Sequence, residues 1–156
     1  MPFEIERKYL VVSDAWREQA TGQRYRQGYL SVDPRRSVRV RQVDEHGWLT
    51  IKGNTSGATR AEYEYEIPVN HAGELLDSLC IHPLIEKTRY RVHYHGLTWE
   101  IDEFSGDNAG LVIAEVELES EGQAIDLPDW IGEEVTGDPR YYNASLVNNP
   151  FSRWSQ

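Results

Sequence analysis

Cysteine is nearly absent from this 156-residue chain, where Cys80 stands alone. One thiol makes neither a disulfide framework nor a cysteine-based zinc site. No apolar stretch approaches the length of a membrane span, so no membrane partner is expected. The opening residues, MPFEIERKYLVV, carry charge where a secretory signal needs an apolar run, which predicts a cytoplasmic protein. Positive charge is also scarce. Sixteen Lys+Arg against 26 Asp+Glu give a formal net charge of −10. That balance offers no basic surface for coating a phosphate backbone, so no nucleic-acid partner is expected. No linker, repeat or low-complexity segment stands out, and the length suits one domain over 1–156.

Five Trp and nine Tyr, by contrast, argue against disorder. The charge is unevenly spread: residues 1–60 hold 11 Lys+Arg and 7 Asp+Glu, and residues 61–156 hold 5 and 19. Extended segments dominate. Residues 3–12, 24–32, 36–45, 47–54, 60–69, 84–95, 97–104 and 110–120 are rich in β-branched or aromatic residues and bounded by turn formers. Short connections at Glu45-His46-Gly47 and His95-Gly96 imply antiparallel neighbours. Helical signals are few. Asn70 is placed to cap a short helix ending near Leu79, a second stretch is expected over Asp126–Glu134, and a third is expected to start at Asp138-Pro139 and reach Leu146.

A strand repeats its facing every two residues, about 6.7 Å. Glu4, Glu6 and Lys8 therefore share one face of the first strand. The pattern recurs with Arg39 and Arg41; Lys52; Glu62, Glu64 and Glu66; Lys87, Arg89 and Arg91; Glu100 and Asp102; and Glu115, Glu117 and Glu119. One such strand describes an ordinary sheet with a wet face. Seven of them, with few helices to cover the apolar faces, point to a mainly β fold. The sheet would close into an eight-stranded antiparallel β-barrel with its charges inward and a few short helices packed outside. Buried unpaired charge costs several kcal/mol per ion, so the lumen must be paired, hydrated or occupied. A polyanion carrying a divalent cation satisfies both signs, because Arg and Lys bind phosphoryl oxygens and carboxylates bind hard ions.

The same residues form a series of recognisable motifs. Glu4-Ile5-Glu6-Arg7-Lys8 resembles the ExExK signature of the CYTH domain, or triphosphate tunnel metalloenzyme, superfamily. Val38-Arg39-Val40-Arg41, Thr50-Ile51-Lys52-Gly53, Arg60-Ala61-Glu62-Tyr63-Glu64 and Glu86-Lys87-Thr88-Arg89 resemble its later strands, in family order. Trp99-Glu100-Ile101-Asp102, Ala114-Glu115-Val116-Glu117 and Asp138-Pro139-Arg140-Tyr141-Tyr142-Asn143 complete a match along nearly the whole chain. The resemblance implies an eight-stranded tunnel that hydrolyses or cyclises triphosphate compounds with Mg²⁺ or Mn²⁺. It covers inorganic triphosphatases, class IV adenylate cyclases, and thiamine and RNA triphosphatases.

On that basis Lys8, Arg39, Arg41, Lys52, Lys87 and Arg89 are expected to cradle a small-molecule triphosphate, with Arg91 at the rim. Glu4, Glu6 and Glu117, then Glu115 and Asp102, are the expected metal ligands. Lys8, Glu62, Glu64, Asp102 and Glu115 are the expected catalytic groups, and Glu62, Glu64, Glu100 and Asp102 would hold a second metal or orient water. Inorganic triphosphate is the leading substrate because the candidate site is charged throughout and leaves little sequence for a nucleoside pocket. Adenylate cyclase, nucleoside or thiamine triphosphatase, and a non-catalytic polyphosphate-binding module are the alternatives. A monomer or homodimer is expected. Tyr141, Tyr142 and Trp48 are expected to pack, His93 and His95 to sit exposed at a hairpin end, and Cys80 to fill core space.

Overall fold

A computed structural model describes residues 2–154. Nine strands form one sheet: β1 (Phe3–Val11), β2 (Gln23–Ser31), β3 (Ser37–Val43), β4 (His46–Lys52), β5 (Thr59–Ile67), β6 (Ile81–Tyr94), β7 (Leu97–Phe104), β8 (Val112–Glu117) and β9 (Ile131–Glu134). Their order is β5-β4-β3-β2-β6-β7-β8-β1-β9, and β5 returns to pair with β1. The first eight strands thus close the antiparallel barrel that the alternation predicts.

Closure is brief. Only Phe3, Ile5 and Glu4 of β1 find partners on β5, namely Ala61, Thr59 and Arg60. Beyond them β9 takes over the same edge of β1, pairing Tyr9 with Glu134 and Val11 with Ile131. Between the two, the Lys8 amide donates to Thr136 Oγ1 at 2.9 Å and the Val135 amide to the Lys8 carbonyl at 2.8 Å. Glu121 pins the seam from outside, accepting from the Ala58 amide and from Thr59 Oγ1.

β9 replaces the helix expected over Asp126–Glu134. Pro128 and the following turn break any helix, and Trp130 and Ile131 gain more by packing on the barrel wall beside Trp99. Helix α1 (Val69–Ser78) starts two residues earlier than the Asn70 cap implies, behind Pro68, and no side chain caps it. The third expected helix is split. Asp138 does cap, accepting from the Arg140 amide, but only a 3₁₀ turn over Pro139–Tyr141 follows. Tyr142 is extended, and helix α2 (Asn143–Asn148) begins after it.

Apolar residues gather in three places. Tyr9, Trp16, Trp99, Ile101, Val116 and Trp130 form a core on the outer face of β1, β6, β7 and β8. α1 covers the outer face of β3 and β4 with Ala72 and Leu76. It approaches so closely that a Cβ on Gly47 would lie 2.7 Å from the Ala72 Cβ, and one on Gly28 3.1 Å from the Leu76 Cδ2. The third cluster departs from expectation: α2 does not pack outside. Its Leu146 and Val147 meet Tyr29, Ile85, Phe104 and Ile113, which continue the inward-facing positions of β2, β6, β7 and β8. α2 therefore stoppers one end of the barrel, because those inward faces turn from charged to apolar there.

Gly47→Leu is expected to wedge α1 off the barrel. It should cost about 1–3 kcal/mol, seen as a lower urea midpoint at unchanged slope.

Candidate active site

The barrel encloses a cavity of about 440 Å³. Eight cations line it (Lys8, Arg39, Arg41, Lys52, Arg60, Lys87, Arg89 and Arg91), together with seven carboxylates. The strand order sorts them. β4, β3 and β6, with β2 between the last two, bring Lys52, Arg39, Arg41, Lys87, Arg89 and Arg91 into one cationic arc. β7, β8, β1 and β5 bring Glu100, Glu115, Glu117, Glu4, Glu6, Glu62 and Glu64 into an acidic arc. Lys8 and Arg60 are the cations of the acidic side.

Many of these charges are paired. Lys52 Nζ lies 2.7 Å from Glu4 and 3.2 Å from Glu62, and Arg60 Nε 3.0 Å from Glu4. Burial alone would raise the Glu4 carboxyl, yet Lys52 and Arg60 hold it well below the usual range. Lys8 reaches Glu115 at 3.7 Å and Glu6 at 3.9 Å. Arg91 spans to Glu100 at 3.2 Å and is half exposed, at the rim as expected.

Two regions are left uncompensated. On the cationic arc, the Nε atoms of Arg39 and Arg41 are buried without any partner. Their other contacts run to Glu64 at 3.4 and 3.6 Å. Burial, with Arg39 and Arg89 close by, pushes Arg41 down to about 10. On the acidic arc, Glu6 and Glu117 are direct cross-strand partners. Burial and the neighbouring Glu115 push Glu6 up to about 7, and burial with Glu4 and Glu100 raises Glu117. One wall thus gathers guanidinium and ammonium groups, and the opposite wall crowds carboxylates.

A model of the CYTH domain matches residues 2–147. The chain belongs to the CYTH domain family. Its relatives include an inorganic triphosphatase of Acetivibrio thermocellus, 54% identical over 153 residues and covering 98% of each chain. Another, from Nitrosomonas europaea, is 40% identical over 149 residues, with 92% of this chain and 96% of that one covered. A solved inorganic triphosphatase structure superposes with a TM-score of 0.65 at 36% identity, covering 92% of this chain and 96% of that one. In this CYTH domain the barrel brings together Glu4, Glu6, Lys8, Arg39, Arg41, Lys52, Glu62, Glu64, Lys87, Arg89, Glu115 and Glu117, as expected from the alternation.

Asp102 is the correction. It does not line the cavity; it lies 1% exposed behind Lys87 and Arg89. It accepts from Arg89 Nε and Nη2 at 2.7 and 2.9 Å and pairs with Lys87 at 2.8 Å. Both of its oxygens are engaged by these two cations. Burial opposes its ionisation, but Arg89 and Lys87 hold it far below the usual carboxylate range. Its role is to brace the cationic arc.

Sequence reasoning also passed over four lining residues. Arg60 lies in the quoted RxExE segment and faces Glu4. Tyr142, expected to pack, puts its ring 5.3 Å from Lys8 Nζ and 5.8 Å from the Arg60 guanidinium. Asn143 Oδ1 accepts from Lys87 Nζ at 2.8 Å and from Gln27 Nε2 at 3.0 Å. Ser145 follows on α2. Alternation with Glu62 and Glu64 could have flagged Arg60, and the family's C-terminal motif Tyr142 and Asn143, which reach the cavity from a loop and a helix that no periodicity places there. His93 and His95 are exposed and Cys80 is buried, as read.

Asp102→Asn should destabilise by about 3–5 kcal/mol, since it strips a buried ammonium and guanidinium of their counter-charge. Because the folded Asp102 pKa is depressed, its stabilisation is present above about pH 4 and is lost as pH falls below it. An acid melt followed by circular dichroism should therefore be steeper below about pH 4 for the parent than for Asp102→Asn.

Proposed function

We propose that this chain hydrolyses inorganic triphosphate to pyrophosphate and phosphate inside the barrel, with Mg²⁺ or Mn²⁺. The observation that carries the reading is the facing of a cationic arc and crowded carboxylates across one 440 Å³ cavity. An occupant must bring phosphoryl oxygens to the first wall and a hard cation to the second. The names of the relatives at 54% and 40% identity agree with it.

The donor set fits such a cation. Glu6 and Glu117 are hard oxygen donors whose pKa values are raised by burial and by neighbouring carboxylates. Among the described residues no three acidic, His or Cys side chains make a ready cage. Mg²⁺ is commonly held by one or two carboxylates, with substrate phosphates and waters completing the shell. Glu4, Glu6, Glu115 and Glu117 would hold the cation, which supplies charge neutralisation to the phosphoryl oxygens.

The chain's own groups do the rest. Arg39, Arg41 and Arg89 offer forked N–H donors, and Lys8, Lys52 and Lys87 offer ammonium charge, to the three phosphoryl groups. Held this way, the terminal phosphorus is oriented for in-line attack by water. The water oxygen bonds to that phosphorus as its bond to the bridging oxygen breaks, and pyrophosphate leaves. Glu62 and Glu64, on the lining of the acidic arc, orient the water and accept its proton. α2 keeps bulk solvent out of the stoppered end.

Purified protein should convert one triphosphate into one phosphate and one pyrophosphate under Mg²⁺ or Mn²⁺, and stop when EDTA is added. A panel with ATP, thiamine triphosphate and longer polyphosphate, scored for phosphate and cyclic AMP, separates the alternatives. Glu117→Gln is expected to lower kcat by about 100-fold, and unimpaired turnover would sink the metal assignment. Arg39→Ala should raise KM by about tenfold or more, the loss of a charge-assisted hydrogen bond.

A further inference from the structure

The cationic arc raises a packing problem. Arg41 on β3 and Lys87, Arg89 and Arg91 on β6 repel one another, and acids placed between them would occupy the donors a phosphate needs. The strand between β3 and β6 is β2, and its inward residues carry no charge: Gln23, Tyr25, Gln27 and Tyr29.

Tyr25 stands at the centre. Its side chain belongs to a residue 4% exposed and does not line the cavity. The Arg89 and Arg41 guanidinium carbons lie 5.0 and 5.1 Å from its ring centroid, and Lys87 Nζ lies at 6.0 Å. A fourth cation, Arg91, donates from Nη2 to the phenol oxygen at 2.8 Å. An aromatic face attracts cations through its quadrupole and has no charge to give. It therefore gathers the cations without neutralising them and without taking Arg41 Nε, which stays unpartnered. A carboxylate in the same place would bind the guanidinium groups bidentately and compete with phosphate.

We infer that Tyr25 is a positioning residue that holds Arg41, Arg89 and Lys87 on its ring face, and Arg91 on its hydroxyl, in the arrangement that receives a polyphosphate. The inference rests on the triphosphate reading above. It assigns the substrate's anion wall a neutral keystone that touches no substrate.

The test replaces Tyr25 first by phenylalanine, Tyr25→Phe, and then by mono-, di- and trifluorinated phenylalanines at the same position. Fluorination keeps the ring's shape and drains its negative face, so a purely space-filling ring would not respond. Binding of inorganic triphosphate is read by calorimetry in metal-free buffer, independent of turnover. Tyr25→Phe should bind within about threefold of the parent, since the ring face remains. Kd should then rise stepwise with fluorine, reaching about tenfold or more at the end of the series. A flat series with intact binding overturns the role of Tyr25 and leaves the triphosphatase reading standing. A parent that binds no triphosphate in metal-free buffer overturns the preassembled cationic wall and with it the role of Tyr25, while phosphate release with Mg²⁺ decides the triphosphatase reading separately.

Discussion

Charge compensation inside a closed sheet is the constraint on which this protein depends. Ionised groups taken from water are tolerated only if each meets an opposite charge, a hydrogen-bond partner or a ligand. Here the barrel satisfies part of that requirement internally, through Lys52–Glu4, Arg60–Glu4 and the Lys87–Asp102–Arg89 triad. The remainder faces the cavity: guanidinium and ammonium groups on one side and crowded acids on the other. A neutral apolar lumen would be easier to fold and would do no phosphoryl chemistry.

The rest of the architecture serves that lumen. Outer faces rich in Trp, Tyr and Ile carry the apolar burial that stabilises the sheet, so the inner faces are released from core duty. Where the inner faces do become apolar, at Ile85, Phe104 and Ile113, α2 covers them and ends the cavity. The same helix delivers Asn143 to Lys87, which ties the stopper to the site itself. Asp102 and Tyr25 play complementary parts behind the cationic arc. The carboxylate neutralises and anchors Lys87 and Arg89, while the phenol ring gathers the same two with Arg41 and brings no charge of its own.

Much of this was legible in the chain. Alternation of acids and bases at every second position identified nearly every charged lining residue, because a strand leaves only two facings to choose between. The same rule failed at Asp102. It shares the face of Glu100, but one step deeper in the barrel the lumen is already filled by Lys87 and Arg89, and periodicity carries no information about depth. It failed again at Tyr142 and Asn143, which enter the cavity from a loop and a short helix. The strand β9 was read as helical because its few residues have no clear period of their own; the wall beside Trp99 decides their form.

What the amino-acid sequence determined by itself is local: strands with one charged face, tight turns such as His95-Gly96, and the apolar faces that had to be buried. Family motifs added the expectation of a triphosphate tunnel. The tertiary structure alone decided which faces meet. Because β2 pairs with β6 and β1 with both β8 and β5, the cations collect on one arc and the acids on the other. That separation depends on pairings between residues far apart in the chain, which local patterning cannot specify, and it is the separation that makes room for an anion on one side and a metal on the other.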